Sequence, residues 1–210
     1  QDTWLNNNMH KYYKIYPQFS NFAKEISSIN LYNHKDYKEN GREEIYNQLR
    51  LPMKSFQGNT KIQIDEIVNR HFTFDNFFFS IIQSENISQI HTDTNYKKSK
   101  SHQRYCNLAF PLYGNLKNRL TFWPKLNKED SVNCFKTSHV DDKSLSKYMS
   151  QDKWLDSIEH KLYQPVLLNT TLPHAAMGQG KTLFAYITLI GKSYSECVSL
   201  YDAMSNSATI

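Results

Sequence analysis

From residue 60 onward the chain is a succession of short β-prone segments broken by turn signals, with no long helix between them. That spacing argues against a doubly wound parallel sheet, whose strands are joined by crossover helices. It favours an antiparallel sandwich with helices laid over one sheet. Residues 165–169 and 182–190 are the clearest strands, dense in Val, Leu, Ile, Phe and Thr. Residues 105–111 and 120–123 read as two more, joined across a turn near Gly114. Residues 61–68 alternate over part of their length, and 72–82 form a dense apolar stretch. Residues 87–93 read as an extended segment running into a loop, and 148–163 as helix or turn, with a strand before Pro165 as the alternative.

The first part of the chain reads differently. Over residues 21–26 an N-cap type residue, Asn21, opens a segment whose apolar positions Phe22, Ile26 and Ile29 recur at helical spacing. A second short helix is predicted over 41–49, ended by Leu51 and Pro52. Residues 193–204 read as a final helix. The expectation is one domain over 1–210, with a helical part at about 1–58 and a β core at about 60–190.

Composition narrows the class. Aromatic residues at 14% and a net charge of only +5 exclude a disordered chain, and no apolar run is long enough to predict a membrane span. The three cysteines, Cys106, Cys134 and Cys197, are widely spaced and contain no C-x-x-C pair, which predicts a reducing, cytoplasmic setting. No signal peptide is visible. Two glycosylation-type triplets, at Asn86 and Asn169, are of a kind that arises by chance. Residues 97–104 carry a basic run, read as a solvated loop with an anion-binding patch as the alternative. Nucleic acid is not favoured, because the charge is moderate and no recognisable module is present.

The chemistry concentrates in His91-Thr92-Asp93. Residues two apart on an extended strand point the same way, so an imidazole and a carboxylate can reach one point. Such a mixed pair suits Fe(II) or Mn(II), and a third ligand must come from elsewhere. His174, just past the strand at 165–169, is the candidate. His71 and His139 compete with it. His139-Val140-Asp141 is a second H-x-D, placed lower because its segment is polar and poor in β formers.

Three ligands leave about three coordination positions open. A 2-oxo acid could fill two of them and supply electrons for oxygen activation, and its distal carboxylate would need a cation and a hydroxyl. Lys181 with Thr182 or Thr188 fits that need, with Arg104 and Arg119 as rival cations. Tyr105, Asn107, Thr121 and Trp123 lie on strands that could line the same cavity. Residues 178–182 also resemble the end of a phosphate-binding loop. The first glycine of that pattern is replaced by Ala175, and the sequence that follows is β-rich rather than helical, which disfavours it.

These segments together, with Arg104 through Leu112, Arg119 through Trp123 and Pro165 through His174, resemble the iron(II)- and 2-oxoglutarate-dependent oxygenases over about residues 60–190. The resemblance implies a double-stranded β-helix of jelly-roll type, a metal triad at His91, Asp93 and His174, and a basic cosubstrate residue at Lys181. It implies hydroxylation of a C–H bond in a small-molecule or polypeptide substrate (an amino acid, a protein side chain or a small metabolite), with formation of succinate and carbon dioxide, as in small prolyl or aspartyl/asparaginyl hydroxylases. In the family the basic residue usually lies further beyond the distal His, and is often Arg. The alternatives are a cupin-like binding module without turnover, a nucleic-acid demethylase of the same class, and a structural β-sandwich.

Overall fold

A computed structural model describes residues 10–29, 31, 43–45, 48–74, 76–84, 88–94, 103–117, 119–140 and 142–207. In chain order the strands are β1 (Tyr13–Ile15), β2 (Glu43–Ile45), β3 (Gln48–Pro52), β4 (Phe77–Ser84), β5 (Cys106–Gly114), β6 (Leu120–Pro124), β7 (Trp154–Glu159), β8 (Val166–Asn169), β9 (Ala175–Met177) and β10 (Thr182–Leu189). The helices are α1 (Ser20–Ser28), α2 (Gly58–His71), α3 (Lys128–Thr137), α4 (Asp142–Leu145) and α5 (Tyr194–Ser207).

The strands form two antiparallel sheets. The larger runs β1-β8-β5-β10-β4-β3-β2 and the smaller β7-β6-β9. Residues 88–91 extend the smaller sheet beside β9, where Ser88 N donates to Ala176 O, and His91 and His174 exchange two backbone hydrogen bonds of 2.9 Å. From β4 onward the chain crosses repeatedly between the sheets: β4 in the large one, residues 88–91 in the small, β5 in the large, β6 and β7 in the small, β8 in the large, β9 in the small, β10 in the large. That alternation is a jelly-roll sandwich.

Side-chain parity explains the layers. On β10, Leu183, Ala185, Ile187 and Leu189 join the core that also holds Phe22, Ile26, Leu108 and Phe110. Phe184 turns the other way, against Trp123, Val166 and Leu168, and Tyr186 packs on that cluster. The large sheet is therefore buried on both faces, and its central strands read as continuous apolar runs. Helix α1 lies against β5 and α2 on the large-sheet side.

Four local expectations differ from the structure. Of the helix predicted over 41–49, residues 43–45 lie instead in β2 and residues 48–49 in β3, with residues 41, 42, 46 and 47 outside the described set. β3 pairs with β4 from Gln48 opposite Ser84 to Pro52 opposite Ser80, so the open edge of β4 captures backbone groups that local periodicity assigned to a helix. Residues 61–68 are not extended but lie in α2, where Thr60, Ile64 and Val68 are buried at helical spacing. Ile62, half of the apparent alternation, is 56% exposed. Residues 148–163 hold β7, the strand alternative. Asn21 lies inside α1 rather than capping it. The cap position is Phe19, without a side-chain hydrogen bond. The final helix is present as α5.

All three cysteines are buried and unpaired. Asn169 is buried in β8, its Nδ2 donating to Lys11 O at 2.8 Å, which leaves no accessible acceptor for a glycan. Asn86 and most of the basic run, residues 97–102, lie outside the described residues. Among the described residues no helix is long and apolar enough to cross a membrane.

Candidate metal centre

His91, Asp93 and His174 come together at one end of the sandwich. One ligand atom from each lies within 4.8 Å of the other two, the group of this kind found among the described residues. His91 stands on the extended segment beside β9, and His174 immediately precedes β9. The reciprocal backbone bonds between the two histidines set their rings 4.5 Å apart, centroid to centroid. Asp93 is tied in by its own N–H, which donates to Thr170 O at 3.0 Å.

The hydrogen bonds of the rings decide which nitrogen is left to ligate. His91 Nδ1 lies 2.7 Å from Gln89 O, and His174 Nδ1 lies 2.9 Å from Leu172 O. A carbonyl only accepts, so each Nδ1 carries a proton, which leaves Nε2 as the nitrogen of each ring that can ligate. His91 Nε2 is 3.6 Å from Asp93 Oδ1. Burial, followed by the neighbouring His91, lowers the His174 pKa to about 4, while Asp93 opposes that shift. At neutral pH His174 is thus a neutral donor. Two imidazole lone pairs and a carboxylate oxygen facing one point fit a divalent first-row metal, and the carbonyl partners fix the rings as metal-ligating histidines require.

The cavity at the triad is lined by Phe78, Ser80, Arg104, Asn107, Thr121 and Tyr186, among others. The predicted Arg104, Asn107 and Thr121 are therefore brought to the triad. The Arg104 guanidinium lies over the Phe78 ring at 4.3 Å. Thr188 and Thr170 also line the cavity, and the buried Thr170 hydroxyl has no hydrogen-bond partner.

Other predicted residues go elsewhere. Lys181 lines a separate hollow with Leu112, Tyr113, Gly114 and Tyr163. Thr182 is buried at the start of β10, opposite Gly114 and Ser84. Arg119 is only 3% exposed, with its guanidinium 5.9 Å from the Phe184 ring, and burial lowers its pKa. Gly178 exists to let Arg119 pass: a Cβ there would meet Arg119 Cδ at 2.4 Å. Gly180, at φ 81°, turns the chain into β10. The loop at 178–182 thus leads into a strand and offers no helix N-terminus for a phosphate. Trp123 points into the core and donates its indole N–H to Asn169 O at 3.1 Å. His71 pairs with Glu25, remote from the triad. His139 forms a backbone bridge to His91 on the side away from β9, and its partner Asp141 lies outside the described residues.

Sequence reasoning missed His160. It follows β7, in a stretch that the sequence reads first as helix or turn, so no local pattern places its side chain. Its Nε2 lies 2.9 Å from Thr121 Oγ1, and its Nδ1 is buried without a partner. Burial, then the charge of Arg119, pushes its pKa down to about 3. The unfolded chain takes up that proton near pH 6.5, so below this value the unfolded state binds more protons than the folded one. Stability is therefore full above pH 6.5 and falls toward pH 3, at about 1.4 kcal/mol per pH unit for this one group. His160→Gln is expected to reduce the difference between the urea midpoints at pH 7 and pH 5. An unchanged difference would assign the acid sensitivity to other groups.

No protein-family model matches this chain, and no curated protein matches it. Solved structures similar to it include HygX from Streptomyces hygroscopicus with nickel and 2-oxoglutarate bound, 12% identical, covering 85% of this chain and 82% of that one, with a TM-score of 0.45. A Pseudomonas putida prolyl-4-hydroxylase is 9% identical, covering 85% of this chain and 92% of that one, with a TM-score of 0.47. Similarity at this level assigns no residue, and the character of the centre rests on the ligand set, its tautomers and the cavity around it.

Proposed function

We propose that this chain is an Fe(II)- and 2-oxoglutarate-dependent dioxygenase that hydroxylates a C–H bond of an amino acid, a protein side chain or a small metabolite. The observation that carries the reading is the His91–Asp93–His174 set, one ligand atom of each within 4.8 Å of the others, with each Nδ1 bonded to a backbone carbonyl and each Nε2 left to ligate. When bound, iron with 2-oxoglutarate would let dioxygen serve as the oxidant, one oxygen atom entering the C–H bond as hydroxyl and the other entering succinate as carbon dioxide leaves the keto acid.

The protein's own residues bind and orient. His91, Asp93 and His174 hold the metal from one side and leave the cavity side open to other ligands. Arg104, lining that cavity, is the proposed partner for the distal carboxylate in place of Lys181, which lines a different hollow. The fork of a guanidinium suits a carboxylate. Neutral His160 donates Nε2–H to Thr121 Oγ1, because the opposite arrangement would leave a buried N–H without an acceptor. The Thr121 hydroxyl proton is then free to donate into the cavity. The three buried thiols support a reducing, cytoplasmic setting.

The test is anaerobic titration of Fe(II) and 2-oxoglutarate, read as visible charge transfer. A band that requires both additions is expected. Arg104→Ala should raise the 2-oxoglutarate concentration needed by about tenfold or more, the scale of one charge-assisted hydrogen bond. Lys181→Ala should leave it unchanged. The reverse pattern returns the clamp to Lys181. Iron binding with no band in the wild-type chain sinks the oxygenase reading and favours a metal-binding module without turnover.

A further inference from the structure

Asp93 lies beyond the bridges that His91 makes to His139 and His174, outside any regular strand. Its backbone alone does not aim its carboxylate, yet the side chain is anchored. Asn107, on β5, donates Nδ2–H to Asp93 Oδ2. Thr188, on β10 and 2% exposed, donates its hydroxyl to Asn107 Oδ1. β5 and β10 are neighbouring strands at the centre of the large sheet, and their ladder sets Ile187 opposite Leu108, so one further step brings Thr188 beside Asn107.

The direction of this chain follows from its ends. A carboxylate only accepts, so the Asn107 amide must turn its NH2 toward Asp93. The amide oxygen then faces Thr188, whose hydroxyl supplies the proton that locks the amide in that orientation. Both contacts are half-buried or better, where an unmade hydrogen bond is expensive.

We infer that Asn107 and Thr188 are positioning residues of the metal centre. They hold Asp93 Oδ2 away from the metal point and leave Oδ1, the oxygen nearest His91 Nε2, as the one that ligates. A carboxylate held to one oxygen occupies one coordination position instead of two, which keeps a further position for exogenous ligands. The assignment rests on the metal centre described above and adds a function for Asn107 distinct from cosubstrate binding.

The experiment is Co(II) titration of the metal-free chain without 2-oxoglutarate, followed by the visible d–d absorption. Asn107→Ala and Thr188→Val are expected to weaken Co(II) binding by about 10- to 100-fold, the range for outer partners of metal ligands. Thr188→Ser, which keeps the hydroxyl, should bind within a few-fold of wild type. A structural role alone would make the isosteric valine the milder change. Equal affinity for Thr188→Val and wild type, or equal loss for the serine and valine variants, overturns the assignment. The serine–valine pair carries the test even if Asn107→Ala does not fold. Because 2-oxoglutarate is absent, failure of the relay is separate from failure of the oxygenase reading.

Discussion

Replacing His174 or Asp93 by alanine is expected to lower 2-oxoglutarate turnover, measured as succinate formed, by more than about a hundredfold. Loss of an outer partner typically reduces metal affinity or activity by 10- to 100-fold, and loss of one of three ligands should exceed that. The fold should survive the His174 change, because what joins this position to His91 is a pair of backbone hydrogen bonds that alanine retains. Circular dichroism of the variant provides the control. Full turnover in either variant would sink the metal-centre reading.

The second large effect concerns the core. Phe22 is fully buried on α1, with its ring 4.6 Å from that of Phe110 on β5 and 4.9 Å from that of Phe72 after α2. Phe22→Ala should destabilise the protein by about 3–5 kcal/mol. We propose that the helical part and the sandwich form one cooperative unit, so urea unfolding should stay a single transition with its midpoint shifted down. Two separate transitions, with only the helical signal affected, would show that α1 and α2 fold independently of the sheets.

The triad was legible in the sequence because its signals are local. His91 and Asp93 share one extended segment, and His174 follows a strand marked by Val166, Leu167 and Leu168. The strands at the centre of the large sheet were legible for the same reason: burial on both faces makes them continuously apolar. What failed was set by distant partners. Residues 48–52 lack a strong pattern of their own, and β4 decides that they pair as a strand, on which β2 then pairs. Ile62 and Ile64 mimic alternation within what is a helix, because a window so short holds both periods. The cavity lining was only partly legible. Arg104 and Lys181 are equivalent as cations in sequence, and only the register of the surrounding strands separates the hollows they line. His160 had no signal at all, since its position depends on β7.

The paired backbone of His91 and His174 has a consequence for how the chain comes apart. Both histidines stand in the small sheet on adjacent segments, yet β5 to β8 lie between them in sequence. An ion held by both would act as a rivet across the seam between these two segments, far apart in the chain. Tearing the seam would first require ejecting the ion, so at a hundredfold excess over its dissociation constant the native state gains about 2.7 kcal/mol. Supply of metal would then govern the lifetime of the protein as well as its chemistry.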